Sequence, residues 1–230
     1  MLYVYAISDS PRPPTMPGLR DSELRAVGDR GVYAIVSEHD ELRLEGGEDD
    51  LWTHESVVEE AMKDAAVLPA RIGGSFADEE ALLASLRDRR ADFERALDRV
   101  RGAVELAVTA VLDLDPLSAR VAEEPIAAAG TVTTAGPGTA YMLDRLGRKR
   151  RAERVAELID EPLAPLARAR TSRLSTDAQP RLTAAYLVDR ERVAIFRTLV
   201  ERLEEELNVA AVTCTGPWPP YSFVTAEGES

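Results

Sequence analysis

LTAAYLVDRERVAIFRTLVERLEEELNVAAVTCT, residues 182–215, contains the changes of hydrophobic period that decide the fold. LTAAYLV (182–188) is a short apolar run of strand length. From Asp189 to Leu207 the apolar residues Val193, Phe196, Val200, Leu203 and Leu207 step by 3, 4, 3 and 4, which places them on one buried face of an α-helix. VAAVTCT (209–215) then reads as a second strand. Upstream, VELAVTAVL (104–112) alternates Val104, Leu106, Val108, Ala110 and Leu112, the pattern of a half-buried strand. A helix is expected from about Thr139 to Ile159, stopped near Pro162 and Pro165, followed by a weaker strand around Arg170 to Ser175. The resulting order, β-α-β-β-α-β, is the split-βαβ or ferredoxin-like plan, an antiparallel sheet with two helices on one face.

The first half reads as a looser α+β arrangement. LYVYAI (2–7) and GVYAIV (31–36) are strands, and the prolines of SDSPRPPTMPG demand a loop after the first. EHDELRLEGGEDD (38–50) holds seven acids and one Arg and is expected to be an exposed loop. A helix follows from about Trp52 to Ala66, with Thr53 as its cap and Val57, Val58, Ala61, Met62 and Ala65 on its apolar side. VLPARIGGSF (67–76) is extended. Leu82, Leu86, Phe93, Leu97 and Val100 form one amphipathic helix from Asp78 to Arg101, preceded by the capping signal Ser75-x-x-Asp78. The fold class is therefore α+β in two domains, residues 1–102 and a ferredoxin-like domain at 103–230, with a Pro-, Gly-, Ala- and Thr-rich connection at 115–138.

Charge bounds the partners. The 230 residues carry a formal net charge of −13, which argues against nucleic acid or an anionic membrane surface. Residues 137–170 run against this, with eight Arg and Lys to five Asp and Glu, centred on RLGRKRR at 145–151. That run is a solvated helix face, or it steers an acidic partner or orients the two halves. No apolar run approaches the roughly 18–20 residues of a membrane span, and MLYVYAISDS lacks a signal peptide's basic start. The expected location is the cytosol. Cys214, the single cysteine, reads as a buried structural thiol.

Motifs for chemistry are scarce. The two histidines are His39, in the acidic loop, and His54, expected on a solvated face in the first turn of a helix. His54 with Glu55, Glu59 and Glu60 lacks the second His of an HExxH metal site. GGSFADEE (73–80) and GPGTAY (136–141) lead into helices but lack the endings of phosphate-binding loops. No catalytic, metal or cofactor-binding residue is assigned, and no cofactor is expected. A small-ligand protein or enzyme on a ferredoxin-like scaffold stays open as a lesser alternative.

TGPWPPYSF (215–223) is the unusual segment. Pro217, Pro219 and Pro220 force an extended, rigid course on which Trp218, Tyr221 and Phe223 are held. It is either an intramolecular strap filling a groove or an exposed aromatic anchor for another protein.

TGPWPPYSFV (215–224), AAYLVDRERVAIFRTLVERL (184–203), GTAYMLDRLGRKR (138–150) and LPARIGGSF (68–76), in this order reversed along the chain, closely resemble the gas vesicle accessory proteins of the GvpF/GvpL family. In the LPARIGGSF block Pro69, Arg71, Gly73 and Phe76 fit the family pattern, while Ala70, Ile72 and Gly74 depart from it. The resemblance implies a non-catalytic, cytoplasmic, vesicle-associated assembly factor. Its implied partners are the small hydrophobic shell protein and other gas vesicle accessory proteins, during nucleation or growth; a minor structural component of the wall is the alternative. Arg71, Phe76, Trp218, Pro219, Pro220, Tyr221 and Phe223 are the candidate protein-interaction or inter-domain residues.

Overall fold

Nine strands and five helices of more than three residues are found among the described residues, which in the computed structural model are 1–40, 47–113, 137–176, 179–207 and 211–224. The strands are β1 (Leu2–Ser8), β2 (Leu24–Asp29), β3 (Val32–Glu38), β4 (Val67–Pro69), β5 (Ser75–Phe76), β6 (Ala103–Val111), β7 (Ala167–Ser175), β8 (Arg181–Asp189) and β9 (Ala211–Trp218). The helices are α1 (Glu48–Asp64), α2 (Glu79–Asp88), α3 (Arg90–Val100), α4 (Pro137–Leu163) and α5 (Val193–Leu207). Most of the expected connection at 115–138 lies outside the described residues.

The strands form two sheets, one in each of two units: Met1–Glu105 together with Pro217–Ser230, and Leu106–Gly216. The tail from Pro217, expected with the second domain, thus groups with the first unit. The first unit has 13 Arg and Lys against 25 Asp and Glu, the second 15 against 16. The acidity of the chain therefore resides almost wholly in the first unit.

In the second unit the strand order is β7-β8-β6-β9, with β7 and β8 an antiparallel hairpin. Leu106, Val108, Ala110 and Leu112 share one core with Leu182, Ala184, Tyr186 and Val188. Every second residue of each strand points the same way, so this is one face of the sheet. Ala152, Val155 and Ile159 of α4 and Phe196, Val200 and Leu203 of α5 cover that face. The element order and two helices on one face are compatible with the ferredoxin-like plan. Cys214 is half-buried beside this core rather than sealed in it, and burial raises its thiol pKa.

The first unit is a sheet of order β2-β3-β1-β4, with β5 also pairing β1. β2 has no counterpart among the expected strands. It pairs antiparallel with β3 through Arg30 and Gly31, both at positive φ (49° and 83°), the geometry of a two-residue hairpin turn. Gly28 is required there, since a Cβ on it would stand 2.2 Å from the carbonyl oxygen of Val32.

Three helix boundaries differ from expectation for local reasons. α1 begins at Glu48, capped by Gly47, and Glu48, Asp49 and Asp50 occupy its first turn, where carboxylates complement the helix dipole. Those acids belong to a helix, and Thr53 is not its cap: its hydroxyl donates to the Asp49 carbonyl at 2.8 Å. The single helix expected over 78–101 is two, broken at Arg89 with φ −108° and ψ 14°. Asp78 is the cap of α2, its carboxylate accepting from the Ala81 amide at 2.8 Å.

Candidate functional site

VLPARIGGSF builds one side of an apolar groove. β4 ends at Pro69, and the chain turns through residues 70–74 before β5. The Ala70 amide donates to the Tyr5 carbonyl at 2.9 Å, the Gly74 amide to the Arg71 carbonyl at 3.0 Å, and the Val4 amide to the Gly74 carbonyl at 2.9 Å. Gly73 sits at φ 88°, a backbone region costly for residues with a Cβ. The turn thereby holds Arg71 outward, exposed to solvent.

Beneath this turn lies His54, which is fully buried and not on a solvated face. Its Nε2 stands 3.1 Å from the Ala70 carbonyl, an acceptor only, so Nε2 carries the proton. Nδ1 of the neutral ring then accepts from the Tyr3 hydroxyl at 2.8 Å. Burial lowers the His54 pKa, against the favourable contact with Ala70. Burial likewise pushes the Tyr3 pKa up to about 12, keeping the phenol protonated as the donor. The Tyr5 ring stacks on His54 with centroids 5.6 Å apart, and the Tyr5 hydroxyl accepts from the Leu19 amide at 2.7 Å. Tyr3 and Tyr5 face α1 on one side of β1, while Val4 faces the groove on the other.

The groove has a volume of about 520 Å³. Its floor comprises Val4 and Ile7 of β1, Leu68 of β4, Phe76 of β5, Leu82 and Leu86 of α2, and Phe93 of α3. Phe223 and Val224 close one part of it. Among the described residues four arginines line it, Arg71, Arg89, Arg95 and Arg99, against one carboxylate, Asp92. Arg95 pairs with Asp92, and the Arg89 guanidinium stands 4.9 Å from the centre of the Phe93 ring, within cation–π range. All four arginines are exposed, whereas the phenylalanines are half-buried or buried. An apolar floor with a charged, wet rim is the anatomy of a protein-docking surface.

The proline-rich tail reaches this groove. β9 runs to Trp218, beyond the expected end at Thr215, and passes through Gly216 at φ 110°. Pro219 and Pro220 are buried. The Tyr221 amide donates to the Pro219 carbonyl at 2.8 Å and the Phe223 amide to the Pro220 carbonyl at 3.0 Å, forming one tight turn. The Ser222 amide and hydroxyl donate to the two oxygens of Glu105, at 2.8 and 2.7 Å. The Tyr221 hydroxyl shares a hydrogen bond with Glu55 on α1, and burial raises the pKa of both groups.

Arg71, Phe76 and Phe223 are thus brought together in one groove, whereas Trp218 and Tyr221 are 41% and 37% exposed and do not line it. Phe223 is 5% exposed. The residues that sequence reasoning missed are Arg89, Arg95 and Arg99, together with the tail's anchor, Glu105. Among the described residues no group of three or more His, Cys, Asp or Glu is placed to share a metal ion, and no described helix is long and apolar enough to cross a membrane.

Comparison with known proteins gives a consistent result. Residues 1–225 match the family described as "Gas vesicle synthesis protein GvpL/GvpF". "Gas vesicle protein F" of Streptomyces sp. (strain CB03234) is 30% identical over 240 residues, covering 96% of this chain and 98% of the relative. "Gas vesicle protein F1" of Halobacterium salinarum is 28% identical over 206 residues, covering 88% and 81%. The crystal structure of the gas vesicle protein GvpF from Anabaena sp. PCC7120 superposes with a TM-score of 0.81 at 20% identity, covering 99% of each chain. With the family match spanning the strands, the groove and the tail alike, this chain belongs to the GvpL/GvpF family of gas vesicle synthesis proteins.

Proposed function

We propose that this chain is a non-catalytic assembly factor that acts in the cytoplasm at the forming gas vesicle. It binds the small, hydrophobic shell protein and other accessory proteins during nucleation or growth of the wall. The observation that carries this reading is the groove of the first unit, an apolar floor open to a partner within a strongly acidic, soluble surface. A subunit that must present apolar surface to gas is prone to aggregate before assembly. Reversible cover from an acidic carrier keeps such a subunit dispersed until polymer contacts replace it.

The test is co-expression with the host's own small shell protein, followed by affinity capture and measurement of the soluble shell fraction. Specific retention with raised solubility supports the proposal. Equal aggregation with and without this chain, and no retention, overturns it.

A further inference from the structure

The charge on the groove runs opposite to that of the unit that bears it. Among the described residues of the first unit, four of the 12 basic residues line the groove and one of the 21 acidic ones does. Long-range attraction by the whole chain, at −13, favours a basic ligand. At contact distance the groove favours the reverse, because local pairs are screened less than distant ones and charge complementarity sets partner choice at the rim.

We infer that the groove receives an acidic amphipathic segment of a partner protein, apolar side chains seated over Phe76 and Phe93 and carboxylates reaching Arg95 and Arg99. This deepens the reading of the groove as a docking surface and rests on it. Arginine suits the role because its planar fork takes a carboxylate through two parallel N–H donors. Arg95 and Arg99 stand four residues apart on α3, so a segment lying along that helix meets both. A small-molecule site would need polar groups converging in an enclosed pocket; here the arginines are exposed at the rim, which suits a protein segment that spans the groove.

The experiment uses the full chain and two dye-labelled synthetic helical peptides of identical Leu pattern, one with Glu and the other with Lys at the polar positions. Affinities are read by fluorescence anisotropy at two salt concentrations. The expected result is tighter binding of the Glu peptide, by about tenfold, despite the net charge of the protein. The double variant Arg95→Glu/Arg99→Glu, on exposed positions and checked for folding by circular dichroism, is expected to lose this preference or invert it. Equal or tighter binding of the Lys peptide to the unaltered chain overturns the inference, as does a Glu-peptide affinity indifferent to the charge reversal. Shell-protein capture is scored separately: its failure beside a discriminating groove removes the proposed partner and leaves the inference standing. Capture without peptide discrimination overturns the inference and leaves the assembly role standing.

Discussion

The Glu105 carboxylate accepts both hydrogen-bond donors of Ser222, 117 residues further along the chain, one donor to each oxygen. Glu105 is 7% exposed, and a buried carboxylate requires such partners. Glu105→Ala is therefore expected to cost about 2 kcal/mol, and Ser222→Ala, which keeps the amide donor, about 1 kcal/mol. Denaturant melts measure both. Limited proteolysis provides an independent check, because a tail released from Glu105 becomes susceptible at Tyr221 and Phe223.

Phe223, 5% exposed against 41% for Trp218, is expected to be the aromatic that anchors the tail. Truncating a buried Phe costs about 3–5 kcal/mol, and Phe223→Ala is expected near the lower end because the groove beside it is already open. Trp218 is the more exposed of the two, so Trp218→Ala is expected to cost less, about 1 kcal/mol. Thermal or denaturant melts of the two variants decide between these assignments. A larger loss for Trp218→Ala would show that the tail is held from its N-terminal end.

Acid should weaken the first unit through His54. Its folded pKa lies below the ordinary value of 6.5, so the unfolded chain takes up this proton first as the pH falls. The stabilisation is present above the unfolded pKa and is lost as pH falls from 6.5 toward the folded value, with a limiting slope of about 1.4 kcal/mol per pH unit. Protonation also removes the acceptor that Nδ1 offers Tyr3. His54→Gln should reduce the pH dependence of the melts across that interval while lowering stability at neutral pH. An unchanged slope would show that His54 does not titrate between the two states.

The second unit was legible because its hydrophobic periods are unambiguous. The stripe of Phe196, Val200 and Leu203 and the alternation of Leu106, Val108 and Ala110 each allow one way to bury. The first unit hid its topology in backbone geometry. β2 ends at Asp29 and turns at Arg30–Gly31, and Arg is not a residue type that marks the left-handed positions of a hairpin turn. His54 was misplaced because its partners, Tyr3 and Ala70, lie 51 and 16 residues away, a separation at which polar type alone suggests solvent. The groove was half legible. Arg71 and Phe76 came from the resemblance to the family and Phe223 from the proline-held aromatic segment, whereas Arg95 and Arg99 carried only the helical i, i+4 spacing, which exposed helix faces share. What raised them above that background was their place around one groove with Phe76 and Phe223, and that grouping exists only in the folded chain.

Glu55 works in the opposite sense to His54 and can be separated from it. Burial raises its pKa above the ordinary 4.5, the hydrogen bond from Tyr221 opposing, and Glu59 adds like charge. The folded state therefore holds this proton more tightly than the unfolded chain, and the ionised side chain penalises the fold once pH rises through the folded value. The contribution of Glu55 is most favourable below 4.5 and declines upward from there. Glu55→Gln removes the charge but retains an oxygen to accept the Tyr221 hydroxyl, so stability at pH 7 should be unchanged or higher. Glu55→Leu leaves that hydroxyl without its acceptor and should be less stable than Glu55→Gln, by about 1 kcal/mol. Denaturant melts at pH 7 and pH 5 test the pair: a Gln variant clearly weaker than the parent at pH 7 would mean that the Glu55 charge holds the tail, and that its burial is not a cost.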